Sequence, residues 1–229
     1  MSNSSLVTYK NLVPNMSKGR QRRKIDKIFV HHMAGNLSLA TCASVFRNNP
    51  ASSHYGIDSK GKIGQYVLEE NTAWHCGNWS YNLRSIGIEC ANDGGAKTKW
   101  HVSDKTIKSL IKLLADICKR NGIKKLNYTG DLKGNLCMHC WTMATACPGG
   151  YLKTKFKYIA REVNKLLETF EPYLVQVTKT ITIYKNATGT TTSGKCHAGV
   201  YTIVGAQNGR LKLKSGVGWI TASNTKRLD

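Results

Sequence analysis

KIFVH, residues 27 to 31, is a short run of β-branched and aromatic residues that ends on a histidine. Such a run reads as a buried strand, and a second one, SIGIEC, spans Ser85 to Cys90. Further along, the apolar period changes from that of a strand to that of a helix. Ile107, Leu110, Ile111, Leu114 and Ile117 recur at three-and-four spacing. With Ser103 as N-cap and Gly122 as stop, they predict a helix from Asp104 to Asn121. A last helix is expected from about Leu152 to Phe170, with Phe156, Ile159, Val163, Leu166 and Leu167 as its buried face. Ser38 is placed to cap a shorter helix, LATCASVFRN, that ends before Pro50. HYGIDSKGKIGQYV, beginning at His54, reads as two strands around a turn at Ser59-Lys60-Gly61. Strands interleaved with amphipathic helices predict an α/β domain, a mixed central sheet flanked by helices.

After Glu171-Pro172 the texture changes. Residues 173 to 227 are rich in Val, Ile, Thr, Tyr and Gly and have no helical period. Short alternating runs (VQVTKTITIY, AGVYTIVGA, RLKLKSG, VGWITA) are separated by turn residues, which reads as a small all-β barrel. The expected organisation is therefore one domain over 1–168, a linker over 169–172 and a second domain over 173–229.

Composition narrows the partners. A formal charge of +21 favours polyanions, and nucleic acid and an anionic bacterial wall polymer both qualify. The charge is spread over both halves, +7 of it from Pro172 onward, rather than gathered in one stripe. The basic segment GRQRRKI, residues 19 to 25, reads as a solvated loop. No zinc finger, aromatic RNA-binding strand or helix-turn-helix pattern is present, so no nucleic-acid partner is expected. No apolar run approaches the roughly 18 residues of a bilayer span, so no membrane insertion is expected. The start, MSNSSLVTYKNLVPNM, lacks a basic stretch followed by an apolar core, so synthesis in the cytoplasm without a signal peptide is expected. Eight cysteines in such a chain are expected to be reduced, most of them small buried hydrophobes. Cys147 is the exception.

His31 emerges at the end of an apolar strand, where a site can form. His139 and Cys147 lie in MHCWTMATACPGG with seven residues between them. Zinc takes imidazole nitrogen and thiolate sulfur, and a catalytic zinc keeps three protein ligands with the fourth position for water. His31, His139 and Cys147 would supply such a set. A rival set built on the Cys137/Cys140 pair lacks a second C-x-x-C.

Five collinear stretches carry a family resemblance: IFVHHMAG (28–35), SSHYGIDSKGKIGQYV (52–67), AWHCGN (73–78), SIGIECAN (85–92) and HCWTMATACPGG (139–150). In them the chain resembles the type 2 N-acetylmuramoyl-L-alanine amidases, the superfamily of phage endolysins and peptidoglycan recognition proteins. The resemblance implies that His31, His139 and Cys147 bind Zn2+ and that Glu89 is the catalytic carboxylate. A charge at the end of so apolar a strand fits a task of that kind. Two residues before the Cys ligand, where many relatives place Lys or His to steady the oxyanion, this chain has Thr145. Thr145 can donate a hydrogen bond but no positive charge. The resemblance further implies that His75, with Trp74 as wall, lines the substrate groove. His32 is not expected to be a ligand, and His54 is expected to be structural or to stand behind the ligands. The C-terminal part resembles a bacterial SH3-like domain, most closely in KLKSGVGWI, with Trp219 expected in its core. The implied activity is hydrolysis of the amide between N-acetylmuramic acid and L-alanine of the stem peptide. Peptidoglycan would be the substrate, and a cell-wall peptide or polymer the partner of the second domain.

Overall fold

Residues 2–168 and 170–228 are described by the computed structural model. In chain order the first unit, Met1–Leu167, contains β1 (Tyr9–Lys10), β2 (Met16–Ser17), β3 (Lys27–His32), α1 (Leu39–Asn48), β4 (Tyr55–Ile57), β5 (Ile63–Gln65), β6 (Thr72–Ala73), α2 (Trp79–Leu83), β7 (Ser85–Cys90), α3 (Asp104–Arg120), β8 (Leu136–Met138) and α4 (Gly150–Leu167). The two apolar runs pair in parallel over their whole length, from Lys27 opposite Ser85 to His32 opposite Cys90. They form the middle of a six-stranded mixed sheet ordered β1-β5-β4-β7-β3-β8. Only the β4–β5 hairpin is antiparallel within it. Gly61, at φ +83°, closes that hairpin, and the Asp58 carboxylate accepts from the amides of Lys60 and Lys62.

Because strand side chains alternate, the two faces of this sheet differ. Ile28, Val30, Ile86, Ile88, Cys90, Leu136 and Met138 face one way and join α3 and α4 in the main core. Phe29, His31, Gly87, Glu89 and Cys137 face the other way, and this is where the polar chemistry collects. β8, only three residues long, gives no sequence signal of its own.

The helices follow their caps. Ser38 Oγ accepts from Thr41 N and Ser103 Oγ from Thr106 N, so both predicted N-caps are in place. Gly122, at φ +69°, takes the left-handed conformation just past α3. Helix α4 starts two residues earlier and stops three earlier than expected. Leu166 is 46% exposed rather than buried. At about 100° per residue Leu167 returns to the Phe156 face, whereas Leu166 sits some 80° away from it. Leu152 and Ala160 complete the buried stripe instead.

The basic segment departs from a plain solvated loop at one residue. Arg22, Arg23 and Lys24 are exposed, but Arg20 is buried. Its guanidinium donates to the carbonyls of Glu69, Leu83 and Ser85 and lies 2.7 Å from His54 Nε2. Desolvation lowers its pKa to about 10.

The second unit, Glu168–Asp229, is all-β. Its strands are β9 (Tyr173–Val177), β10 (Ile181–Tyr184), β11 (Thr192–Cys196), β12 (Gly199–Gln207), β13 (Arg210–Leu213), β14 (Trp219–Thr221) and β15 (Lys226–Leu228). They form one antiparallel sheet ordered β11-β10-β14-β13-β12-β9-β15. Alternation again selects the core: Val175, Val177, Ile181, Ile183, Ile203, Leu211, Leu213 and Ile220. Trp219, expected in that core, is half-buried beside the Lys212 ammonium, and its neighbour Ile220 takes the interior position. The period-two rule allows only one of the two to point inward.

Candidate metal centre

His31 lies at the carboxyl end of β3, and its register partner on β7 is Glu89. On the other side β8 pairs Met138 with Val30, so His139, the next residue, emerges alongside His31. The chain then turns through a short 3₁₀ segment, and the Cys140 amide donates to the Cys147 carbonyl at 3.2 Å. That contact returns Cys147 to the two histidines. One potential ligand atom from each of His31, His139 and Cys147 lies within 4.8 Å of the others. His31 Nδ1 and Cys147 Sγ are 3.5 Å apart. Two ligands at the usual Zn–N and Zn–S lengths, set at a tetrahedral angle, are separated by about 3.6 Å.

Unpartnered polar atoms mark the same place. His139 Nε2 and Glu89 Oε2 are both buried without a hydrogen-bond partner. Buried polar groups are rarely left so, and a bound cation or a reacting group would give each a partner. Desolvation raises the Glu89 pKa to about 8 and, with the nearby Glu89 carboxylate, also raises that of the Cys147 thiol. Burial, followed by the neighbouring rings of His75, His139 and His32, holds His31 well below the usual imidazole range. Neutral imidazoles facing a carboxyl and a thiol form the donor set that a soft divalent cation neutralises. The residues therefore fit Zn2+.

The remaining candidates divide. Thr145 is half-buried and its Oγ1 accepts from the Cys147 amide at 3.2 Å, which leaves the hydroxyl proton free. His32 stays outside the cluster, edge-on to Trp100 at 5.4 Å. Cys137 is buried against Phe29 and Cys76, and neither thiol belongs to the grouped ligand set. His54 is fully buried and receives the Gly87 amide on Nδ1. Trp74 is half-buried and pinned by its indole N–H to Ser17 Oγ at 3.0 Å. His75 lies deeper than its place in the sequence suggests. It is buried, with Nδ1 3.2 Å from His31 Nε2. A loop histidine between Trp and Cys carries no sequence mark of that depth. Ser85, 2.9 Å from His75 Nε2, was not singled out by sequence either. Its only signal is a hydroxyl at the head of an apolar strand.

Residues 21–150, more than half of the chain, match the Amidase_2 family, N-acetylmuramoyl-L-alanine amidase. The chain belongs to this family. Among its relatives, N-acetylmuramoyl-L-alanine amidase A of Achromobacter lyticus is 37% identical over 99 residues, 42% of this chain and 52% of the relative. The chain thus spans about half the length of that relative. Solved structures with the same fold include PlyL, with a TM-score of 0.53 at 21% identity over 68% of this chain and 95% of that one. The catalytic domain of PlyG gives 0.53 at 23% identity over 69% and 93%. AmpD gives 0.52 at 17% identity over 69% and 96%. The amidase-family unit thus carries its polar cluster at the carboxyl ends of parallel strands, where open α/β sheets place their ligands.

Proposed function

We propose that this chain is a zinc-dependent N-acetylmuramoyl-L-alanine amidase of the endolysin type. It would cut the amide joining the lactyl group of N-acetylmuramic acid to L-alanine of the stem peptide. The observation that carries this reading is the meeting of His31, His139 and Cys147, with Glu89 opposite His31 in the register of the adjoining strand. His31, His139 and Cys147 would hold the cation. Bound there, zinc supplies Lewis acidity that makes water nucleophilic near neutral pH and polarises the carbonyl.

Every other role falls to side chains. Glu89 accepts the proton of the attacking water and delivers it to the leaving amine nitrogen. Burial raises the carboxyl's pKa, the direction that favours its taking up and holding the proton before passing it to the amine. Thr145 would donate its hydroxyl proton to the developing oxyanion, and the bond its Oγ1 accepts from the Cys147 amide supports that role. The second unit is read as an SH3-like wall-binding module whose ligand is a cell-wall peptide or polymer. Linking it to the amidase unit raises the local enzyme concentration on an insoluble substrate.

Mass spectrometry of peptidoglycan digested by the full chain tests the reading. New L-alanine amino termini and intact muramic acid carboxyls are expected, and both disappear after chelation. Cleavage at another bond, or full activity in metal-free protein, overturns it.

A further inference from the structure

We propose that His75 and Ser85 form a positioning relay, anchored on the Tyr81 carbonyl, that fixes which ring nitrogen His31 presents to the metal cluster. The inference rests on the metal-centre reading above and deepens it. Three contacts run in series, the first two of them buried. His31 Nε2 is 3.2 Å from His75 Nδ1, His75 Nε2 is 2.9 Å from Ser85 Oγ, and Ser85 Oγ donates to Tyr81 O at 2.6 Å.

The order of protons along this chain has one solution. A backbone carbonyl only accepts, so the single hydroxyl proton of Ser85 is committed to Tyr81. Ser85 Oγ must then accept, which puts a proton on His75 Nε2. A neutral imidazole protonated there has a bare Nδ1, and that atom accepts from His31 Nε2–H. His31 is left with its lone pair on Nδ1. That is the nitrogen 3.5 Å from Cys147 Sγ, facing the cluster.

The surroundings are built to hold the relay. His75 N and Cys76 N both donate to Asn82 Oδ1, which fixes the loop after β6. The His75 ring lies on Gly87 of β7, where an added Cβ would come within 2.6 Å of His75 Cγ. Only a residue without a side chain leaves room for the ring at that register position. Groups of this kind behind a metal ligand typically change metal affinity 10- to 100-fold.

The test uses the full chain and two independent readouts. In the metal-free protein, nitrogen-15 NMR of the imidazoles should show His31 protonated on Nε2, and Ser85→Ala should give a mixture of tautomers. Zinc affinity, measured by competition with a chromogenic chelator, should fall roughly 10- to 100-fold in Ser85→Ala and His75→Leu. His75→Gln keeps an acceptor toward His31 and a donor toward Ser85, so it should recover most of the loss. A His31 ring protonated on Nδ1 overturns the proposal. So does unchanged affinity in both Ser85→Ala and His75→Leu, or an equal loss in His75→Gln and His75→Leu, which would mark His75 as packing alone. If the protein binds no zinc, the metal reading fails, and the NMR result still decides the relay.

Discussion

At the scale of single residues, the site is a set of groups held in states that water would not allow. Glu89 has a buried oxygen without a partner, and desolvation raises its pKa to about 8. Glu89→Gln keeps the shape and removes the proton acceptor. It should lower kcat by about 10²- to 10⁴-fold while zinc content, read by atomic absorption, stays at the wild-type level. Retained activity would remove Glu89 from the mechanism. His54 illustrates the same physics without catalysis. Burial, then the adjacent Arg20 guanidinium, lowers its pKa well below 6.5, while the Asn71 carbonyl acts in the opposite direction. The unfolded chain gains a proton near pH 6.5 and the folded chain does not. The stability contributed by neutral His54 is therefore complete above that pH and is lost as pH falls toward the folded pKa. Denaturant unfolding of the metal-free protein should show stability falling from pH 7 to pH 5. His54→Asn should reduce that slope by up to about 1.4 kcal/mol per pH unit.

At the scale of elements, the loop after β5 and the end of α3 are joined by a buried ion pair. Arg120, the last residue of α3, grips both oxygens of Glu69 at 2.8 and 2.7 Å, and Tyr55 Oη donates to the same carboxylate. The Glu69 side chain is 1% exposed against 16% for Arg120. Removing the cation leaves a buried carboxylate unpaired, so Arg120→Ala should cost about 3–5 kcal/mol by urea unfolding. A loss below about 1 kcal/mol would mean that water reaches Glu69 after all. The elements themselves were legible wherever pattern and cap agreed, as in Ser38 with α1, Ser103 with α3, and the Ser85–Cys90 run. β8 was not legible, because three residues carry no period. Leu166 was misplaced because adjacent leucines at a helix end look alike until the rotation angle is fixed by packing.

At the scale of the whole molecule, the chain comprises two units, each with its own apolar core. Among the described residues the only grouped metal-ligating side chains, His31, His139 and Cys147, belong to the first. Zinc at 1,000 times its Kd should add about 4 kcal/mol to the unit that binds it. Calorimetry is thus expected to show one transition shifting down on chelation while the other stays in place. A common shift of both would mean that the two units unfold together. No described helix is long and apolar enough to cross a membrane.

The sequence by itself determined the two central strands, the β4–β5 pair and the three longer helices, the change of texture after Pro172 and the three candidate ligands. Period, caps and residue chemistry are local, and a local pattern is readable in one dimension. Tertiary structure alone decided how deep each polar group lies: Arg20 beneath a basic segment, His75 behind His31, Ser85 at the end of a proton chain. Burial and hydrogen-bond direction depend on which residues from distant segments meet. That meeting is fixed by sheet register and loop closure, and no local pattern carries it.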